Sequence, residues 1–126
     1  MKNKNFKILN IDHVAVANTD SGILNALFVD LLGMNATPKE HVRNEKVRVI
    51  KVYAEDQKTA IELMEPSDSS SEIQKFINKK GAALHHIALT VDSIEKAITD
   101  EVIAPYVKGT DKLNNNFLLI HNNSSI

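Results

Sequence analysis

The chain has 126 residues, of which 43% are hydrophobic and 25% charged, with a formal net charge of −1 and no cysteine. Such a length suits one domain of ordinary globular composition, and scattered lysines and arginines at near-zero net charge give no electrostatic footprint for nucleic acid. Without thiols there are no disulfides, no cysteine nucleophiles and no thiolate-held zinc or iron–sulfur clusters, so any metal must sit among imidazoles and carboxylates.

Met1 to Lys7 is basic but leads into no apolar signal region, and no apolar run is long enough to span a membrane, so a cytoplasmic protein is expected. Leu9 to Ala17 reads as a buried strand, apolar on both faces, with Asn18-Thr19-Asp20-Ser21 as turn and N-cap material. Ile23, Leu24, Leu27, Phe28, Leu31 and Leu32 follow at helical spacing, and Gly33 suits the residue just past a helix end. Met34 to Thr37 suits a short strand closed by Pro38. Val47 to Tyr53 alternates as a half-exposed strand, Ala54 to Lys58 is a polar hairpin loop, and Thr59 to Glu65 is the returning strand. The first half is thus β-α-β-β-β.

Pro66 to Ser71 forms a linker and helix start. The short helix Glu72 to Lys80 has one apolar side in Ile73, Phe76 and Ile77, and Gly81 stops it. A second strand and helix run from Leu84 to about Asp100. Beyond it, Val102 to Val107 reads as a strand interrupted by Pro105, Gly109 to Asn116 as a polar loop, Phe117 to His121 as a strand, and Asn122 to Ile126 as turn material.

Two of these strands repeat each other. Ile11-Asp12-His13-Val14-Ala15-Val16-Ala17 matches Leu84-His85-His86-Ile87-Ala88-Leu89-Thr90-Val91, and a helical stretch follows each through Asp20-Ser21 or Asp92-Ser93. His13 and His86 are 73 residues apart, which marks an internal duplication rather than a local motif. Because i and i+2 share a strand face, His13 lies with Ala15 and Ala17, and His86 with Ala88 and Thr90; small neighbours leave room for a ligand. One histidine in an apolar strand usually reads as a hydrogen-bonded core residue. Two at duplicated positions point instead to half of a metal site. Glu62 shares its face with Ala60 and Met64, where an unpaired carboxylate is costly, so it must bind a cation, accept hydrogen bonds or face solvent on an edge strand.

Ile11 to Ala17, Leu32-Gly33-Met34, Ile61-Glu62-Leu63-Met64-Glu65-Pro66, Glu72 to Ile77 and Gly81-Ala82-Ala83-Leu84-His85-His86-Ile87-Ala88 together resemble the methylmalonyl-CoA epimerases. These belong to the vicinal-oxygen-chelate superfamily, with glyoxalase I, bleomycin-resistance proteins and ring-cleaving dioxygenases. The resemblance covers residues 9 to about 98 well and thins thereafter. It implies an α+β fold in which two βαβββ modules form a cupped mixed sheet around a divalent metal. One domain over 1–126 is expected, with module one at 8–66, a linker helix at 67–82 and module two at 83–126.

Carried across residue by residue, the resemblance assigns His13, Glu62 and His86 as metal ligands, for Co, Mn, Ni or Zn. The family's fourth ligand is a glutamate on the last strand, which also serves as an acid/base. Glu62 follows His13 by 49 residues, and the same interval from His86 passes the final residue, 126. The expectation is therefore a second module lacking its last strand, and an isomerase impaired by that loss. The family's other base is a glutamate before the strand Val47 to Tyr53. Matching through Lys46-Val47 places Asn44 there, and the period-2 relation to Val47 and Val49 favours the adjacent Glu45; a solvated glutamate in a charged turn is the alternative.

His85 is expected to point away from His86 as a structural residue, and His41 to lie in a loop. His121 reads as turn or as a substitute ligand. Lys46, Arg48 and Lys51 read as a solvated strand face or as contacts for acyl-carrier phosphates. The implied function is proton movement α to a thioester carbonyl, on an acyl-CoA substrate. A glyoxalase I-like lyase acting on a glutathione thioester remains open, as does a non-catalytic small-molecule-binding module. A homodimer without nucleic-acid or membrane partners is expected.

Overall fold

The computed structural model describes residues 5–101 and, as backbone, residues 118–122. The expected strand at 102–107, the loop at 109–116 and the turn at 123–126 lie outside the described residues. The fold is α+β, built on an open mixed sheet with few helices. The described residues fall into two compact units: one runs from His13 to His85, the other comprises the chain up to Asp12 and from His86 onward.

In the His13–His85 unit the sheet order is β2-β4-β5-β1, with β1 at Ile8–Ala17, β2 at Asn35–Ala36, β4 at Val47–Tyr53 and β5 at Ala60–Pro66. β1 runs parallel to β5, and β4 antiparallel to β5. The β4–β5 hairpin is closed by Asp56, whose carboxylate accepts the backbone N–H groups of Lys58 and Thr59 and the Thr59 hydroxyl. Those backbone bonds, that of Lys58 first, hold the Asp56 carboxyl below its ordinary pKa.

An unexpected strand, β3 at Glu40–Val42, also pairs with β4, so His41 is exposed on a strand rather than in a loop. β2 and β3 are one edge strand broken at Pro38. Ala36 pairs with Val52, Thr37 N–H bonds Lys51 O, and Glu40 pairs with Val49. Pro38 and Lys39 thus face Ile50 alone, a two-against-one bulge at an edge position where proline, lacking an N–H, is tolerated.

Helices cover both faces of this sheet. On one face α1 (Gly22–Asn25) continues as a π-helix over Ala26–Leu31, and Leu24, Phe28 and Val29 pack on Ile50, Val52 and Leu63. Only part of the predicted stripe is buried: Ile23, Leu31 and Leu32 are 73%, 75% and 60% exposed. The wider π turn shifts the angular phase from which that stripe was read. On the other face α2 (Glu72–Lys80) packs Ile73, Phe76 and Ile77 on Ala17, Val47, Val49 and Met64. Ser71 caps α2 by accepting the Ile73 N–H, and Gly81 ends it at φ 79°, a left-handed backbone that favours glycine.

In the other unit β6 (Ala83–Val91) pairs in parallel with β7 (Leu118–Asn122) from Ile87 onward. A small core joins Phe6, Val91, Ala97 and Ile94, the last two on α3 (Ile94–Ile98). Lys7 and Asp92 clasp each other: Lys7 N–H donates to the Asp92 carboxylate at 2.8 Å, and Asp92 N–H to Lys7 O at 3.0 Å. The first part of β1 is not the buried strand expected, since Ile8, Leu9 and Ile11 are about half exposed among the described residues.

Candidate metal centre

Within the His13–His85 unit, the β1–β5 register sets His13 beside Ala60 and Ala15 beside Glu62. Strand alternation then turns His13, Ala15, Ala17, Ala60, Glu62 and Met64 to one face, the face α2 covers at its Ala17–Met64 end. At the other end His13 Nε2 lies 3.8 Å from Glu62 Oε2, with the two side chains only 11% and 13% exposed. That separation is too long for a good hydrogen bond. It suits two donors flanking one ion, since bonds of about 2.0–2.2 Å hold neighbouring ligand atoms roughly 3–4 Å apart. Ala15 and Ala60, both buried, are the small residues of this face beside the pair.

His86 belongs to the other unit, on β6, where His86, Ala88 and Thr90 are buried on one face just as His13, Ala15 and Ala17 are on β1. The Thr90 hydroxyl donates to the Asp12 carboxylate at 3.3 Å. His85 takes the opposite face, as alternation predicts, and its ring meets Phe76 edge-on at 4.8 Å between centroids. Burial holds the His85 pKa below its ordinary value. Within the His13–His85 unit, a buried imidazole and a nearly buried carboxylate are donor types suited to a borderline divalent cation.

The phase argument for Glu45 does not hold. Arg43–Glu45 is a 3-10 turn and Lys46 is left-handed at φ 56°, so strand alternation starts only at Val47 and Glu45 is exposed. The basic residues also fail to share a face: Arg48 pairs with Glu65 and Lys51 with Glu62, on opposite sides of the hairpin. Lys46 instead reaches the Ser70 hydroxyl at 2.6 Å. The His121 side chain lies outside the described residues.

Glu65, three residues after Glu62 on the same strand and so on the opposite face, is structural. It is buried, and its Oε2 accepts from the N–H and the hydroxyl of Ser21 at 2.9 and 3.0 Å, while Lys39 donates to Oε1 at 2.8 Å. Burial raises its pKa, but the Lys39 and Ser21 hydrogen bonds outweigh that and leave it below the ordinary value. What sequence reasoning passed over is the place of Lys51 opposite Glu62. Counting outward from the hairpin loop would have set it opposite Glu62.

The family model for the Glyoxalase/Bleomycin resistance protein/Dioxygenase superfamily matches residues 12–102. The chain belongs to this superfamily. Its members are commonly metal-dependent, in keeping with the donors above. Mouse mitochondrial methylmalonyl-CoA epimerase is 31% identical over 96 residues, 75% of this chain and 53% of the relative. The chain spans about half the length of the curated relatives it matches. Among solved structures, a hypothetical protein from Bacillus halodurans C-125 superposes with a TM-score of 0.64 at 33% identity, over 75% of this chain and 65% of that one. Methylmalonyl-CoA epimerase from Mycobacterium tuberculosis gives a TM-score of 0.64 at 27% identity, over 74% and 62% of the two chains. The α+β superfamily fold that the resemblance implied is thus the fold observed.

Proposed function

We propose that the protein is a divalent-metal-dependent isomerase of the methylmalonyl-CoA epimerase type, shifting a proton on the carbon α to a thioester carbonyl. The observation that carries this reading is the His13–Glu62 pair, two nearly buried metal-type donors 3.8 Å apart on a face of small residues. The 31% identity to an enzyme named methylmalonyl-CoA epimerase supports the choice of reaction. His13, Glu62 and His86 hold the ion in this proposal, and Co, Mn, Ni or Zn suits them. When bound, the ion acts as a Lewis acid toward the substrate's carbonyl oxygens.

The chain's own residues supply the rest. Ala15 and Ala60, the small residues beside the His13–Glu62 pair, are where the acyl group is proposed to lie. Glu45 is proposed as the base that takes the α-proton, a role requiring its exposed carboxylate to reach the bound α-carbon.

Metal analysis of the purified protein, followed by α-proton exchange of methylmalonyl-CoA in D₂O, tests the proposal. One equivalent of divalent ion, with exchange that chelation abolishes, is the expected result. Glu45→Gln is expected to slow exchange by about 10²- to 10⁴-fold while leaving ion binding intact. Absence of exchange with the ion bound would overturn the isomerase reading, and Glu45→Gln exchanging at the wild-type rate would remove Glu45 from it.

A further inference from the structure

The two histidine-bearing strands differ from each other at a pair of positions that meet in space. His13, Ala15 and Ala17 on β1 answer to His86, Ala88 and Thr90 on β6, and Asp12 answers to His85. The last position of that face thus holds a methyl group in the first copy and a hydroxyl in the second. Both residues are buried, Ala17 at 0% and Thr90 at 5% exposure. A methyl group suffices to pack such a face, whereas a buried hydroxyl costs free energy unless it finds a partner. The partner is Asp12: the Thr90 hydroxyl donates to its carboxylate at 3.3 Å, from 78 residues away in the chain. His85, the counterpart of Asp12, packs its ring on Phe76 instead.

Asp12 and Thr90 lie in the same compact unit, together with His86. The chain leaves that unit between Asp12 and His13 and returns to it between His85 and His86, so each crossing falls immediately before a histidine. A contact made by Asp12 therefore holds the peptide from which His13 departs. What it holds that peptide to is the strand that carries His86. Such a contact matters at a metal centre, because ligating side chains must be kept within roughly half an ångström of their productive positions.

We propose that Asp12 and Thr90 are positioning residues for the metal ligands: their bond fixes the β1 segment that enters His13 to the β6 face that bears His86. Neither residue touches the ion, and both act through their strands. The inference rests on the metal-centre reading above. Cutting the bond lowers ion affinity even though His13, Glu62 and His86 all remain.

Titration with Co²⁺, read by calorimetry and by the visible absorption of the bound ion, provides the measurement. Urea denaturation of the metal-free protein reads stability separately. Thr90→Val, which keeps the shape and removes the hydroxyl, is expected to weaken Co²⁺ binding about tenfold or more, the scale of losing a supporting partner. The absorption of the bound ion should change with it. Thr90→Ser restores the hydroxyl and should bind as the wild type does. Asp12→Ala cuts the same bond from the other side, which keeps the test decisive if the valine variant does not fold. In an Asp12→Ala background Thr90→Val should weaken binding no further, because the bond is already gone. A Thr90→Val protein that is less stable yet binds Co²⁺ with wild-type affinity and absorption would make the bond merely structural and overturn the proposal. A further tenfold loss in the double variant would overturn it too, since the residues would then act apart. Thr90→Ser binding as weakly as Thr90→Val would remove the hydroxyl from the account. A wild-type protein that binds no Co²⁺ would instead overturn the metal-centre reading itself.

Discussion

The two copies of the strand–helix repeat carry the same histidine-bearing face, yet they secure the start of the following helix by different means. In the second copy the anchor is local: Ser93, in extended backbone, accepts the Lys96 N–H at 3.2 Å from the next turn of α3. In the first copy Ser21 makes no side-chain cap of its own helix. Its N–H and hydroxyl both donate to Glu65, 44 residues away, and Lys39 at the edge-strand bulge completes the carboxylate's shell. Asp20 assists locally by accepting the Gly22 N–H at 2.8 Å. A strand face can be duplicated by repeating a two-residue period, whereas a helix start can be secured by any acceptor the fold delivers.

If the copies are equivalent at their histidines, His13→Ala and His86→Ala should each weaken divalent-ion binding by about a hundredfold or more, beyond what loss of a mere supporting partner costs. Calorimetry with Co²⁺ reads this directly. A variant of either copy that binds as tightly as the wild type would break the proposed equivalence and remove that histidine from the ligand set.

The difference at the helix starts predicts unequal stability effects. Glu65→Ala strips the acceptor from three donors, two of them on buried Ser21, and should cost about 3 kcal/mol. Ser93→Ala removes one cap and should cost about 1 kcal/mol. Urea denaturation of both variants gives the ratio, and equal losses would refute the contrast between remote and local anchoring.

A pH series sharpens the same point. The folded-state pKa of Glu65 is depressed by its Lys39 and Ser21 bonds. Its contribution is therefore present above the ordinary carboxylate pKa and disappears as pH falls from there through the depressed folded value. Glu65→Gln should flatten that acid limb of stability, whereas Ser93→Ala should shift the whole curve without changing its slope. The smallest expected effect is that of Lys39→Met. The Lys39 side chain is 43% exposed, so solvent screens the ion pair and the loss should be under about 1 kcal/mol.

Much of the site could be read from the chain itself. Strand phase alone placed His13 with Ala15 and Ala17, put His85 on the face opposite His86, and separated Glu65 from Glu62. Helix α2 also matched, because Ser71, an apolar side and Gly81 are all local signals. The inward phase read for Glu45 failed for an equally physical reason: a period-2 argument holds only inside a strand, and the left-handed Lys46 breaks the phase one residue before β4 begins. The bulge at Pro38–Lys39 was invisible as well, since a register shift belongs to two strands and not to one.

What the sequence determined by itself is therefore the local alphabet of this protein: which strands exist, which residues share a face, which serines and glycines bound the helices, and that two histidines recur at equivalent places. Backbone stereochemistry and side-chain period are properties of neighbours in sequence, so they are written there. Only the tertiary structure decided that Glu62 comes within 3.8 Å of His13, that Lys51 stands opposite Glu62, and that Glu65 secures a helix start 44 residues away. Each depends on the register between strands distant in sequence, fixed by the joint burial of Ile50, Val52 and Leu63 under α1 and of Ala17 and Val47 under α2.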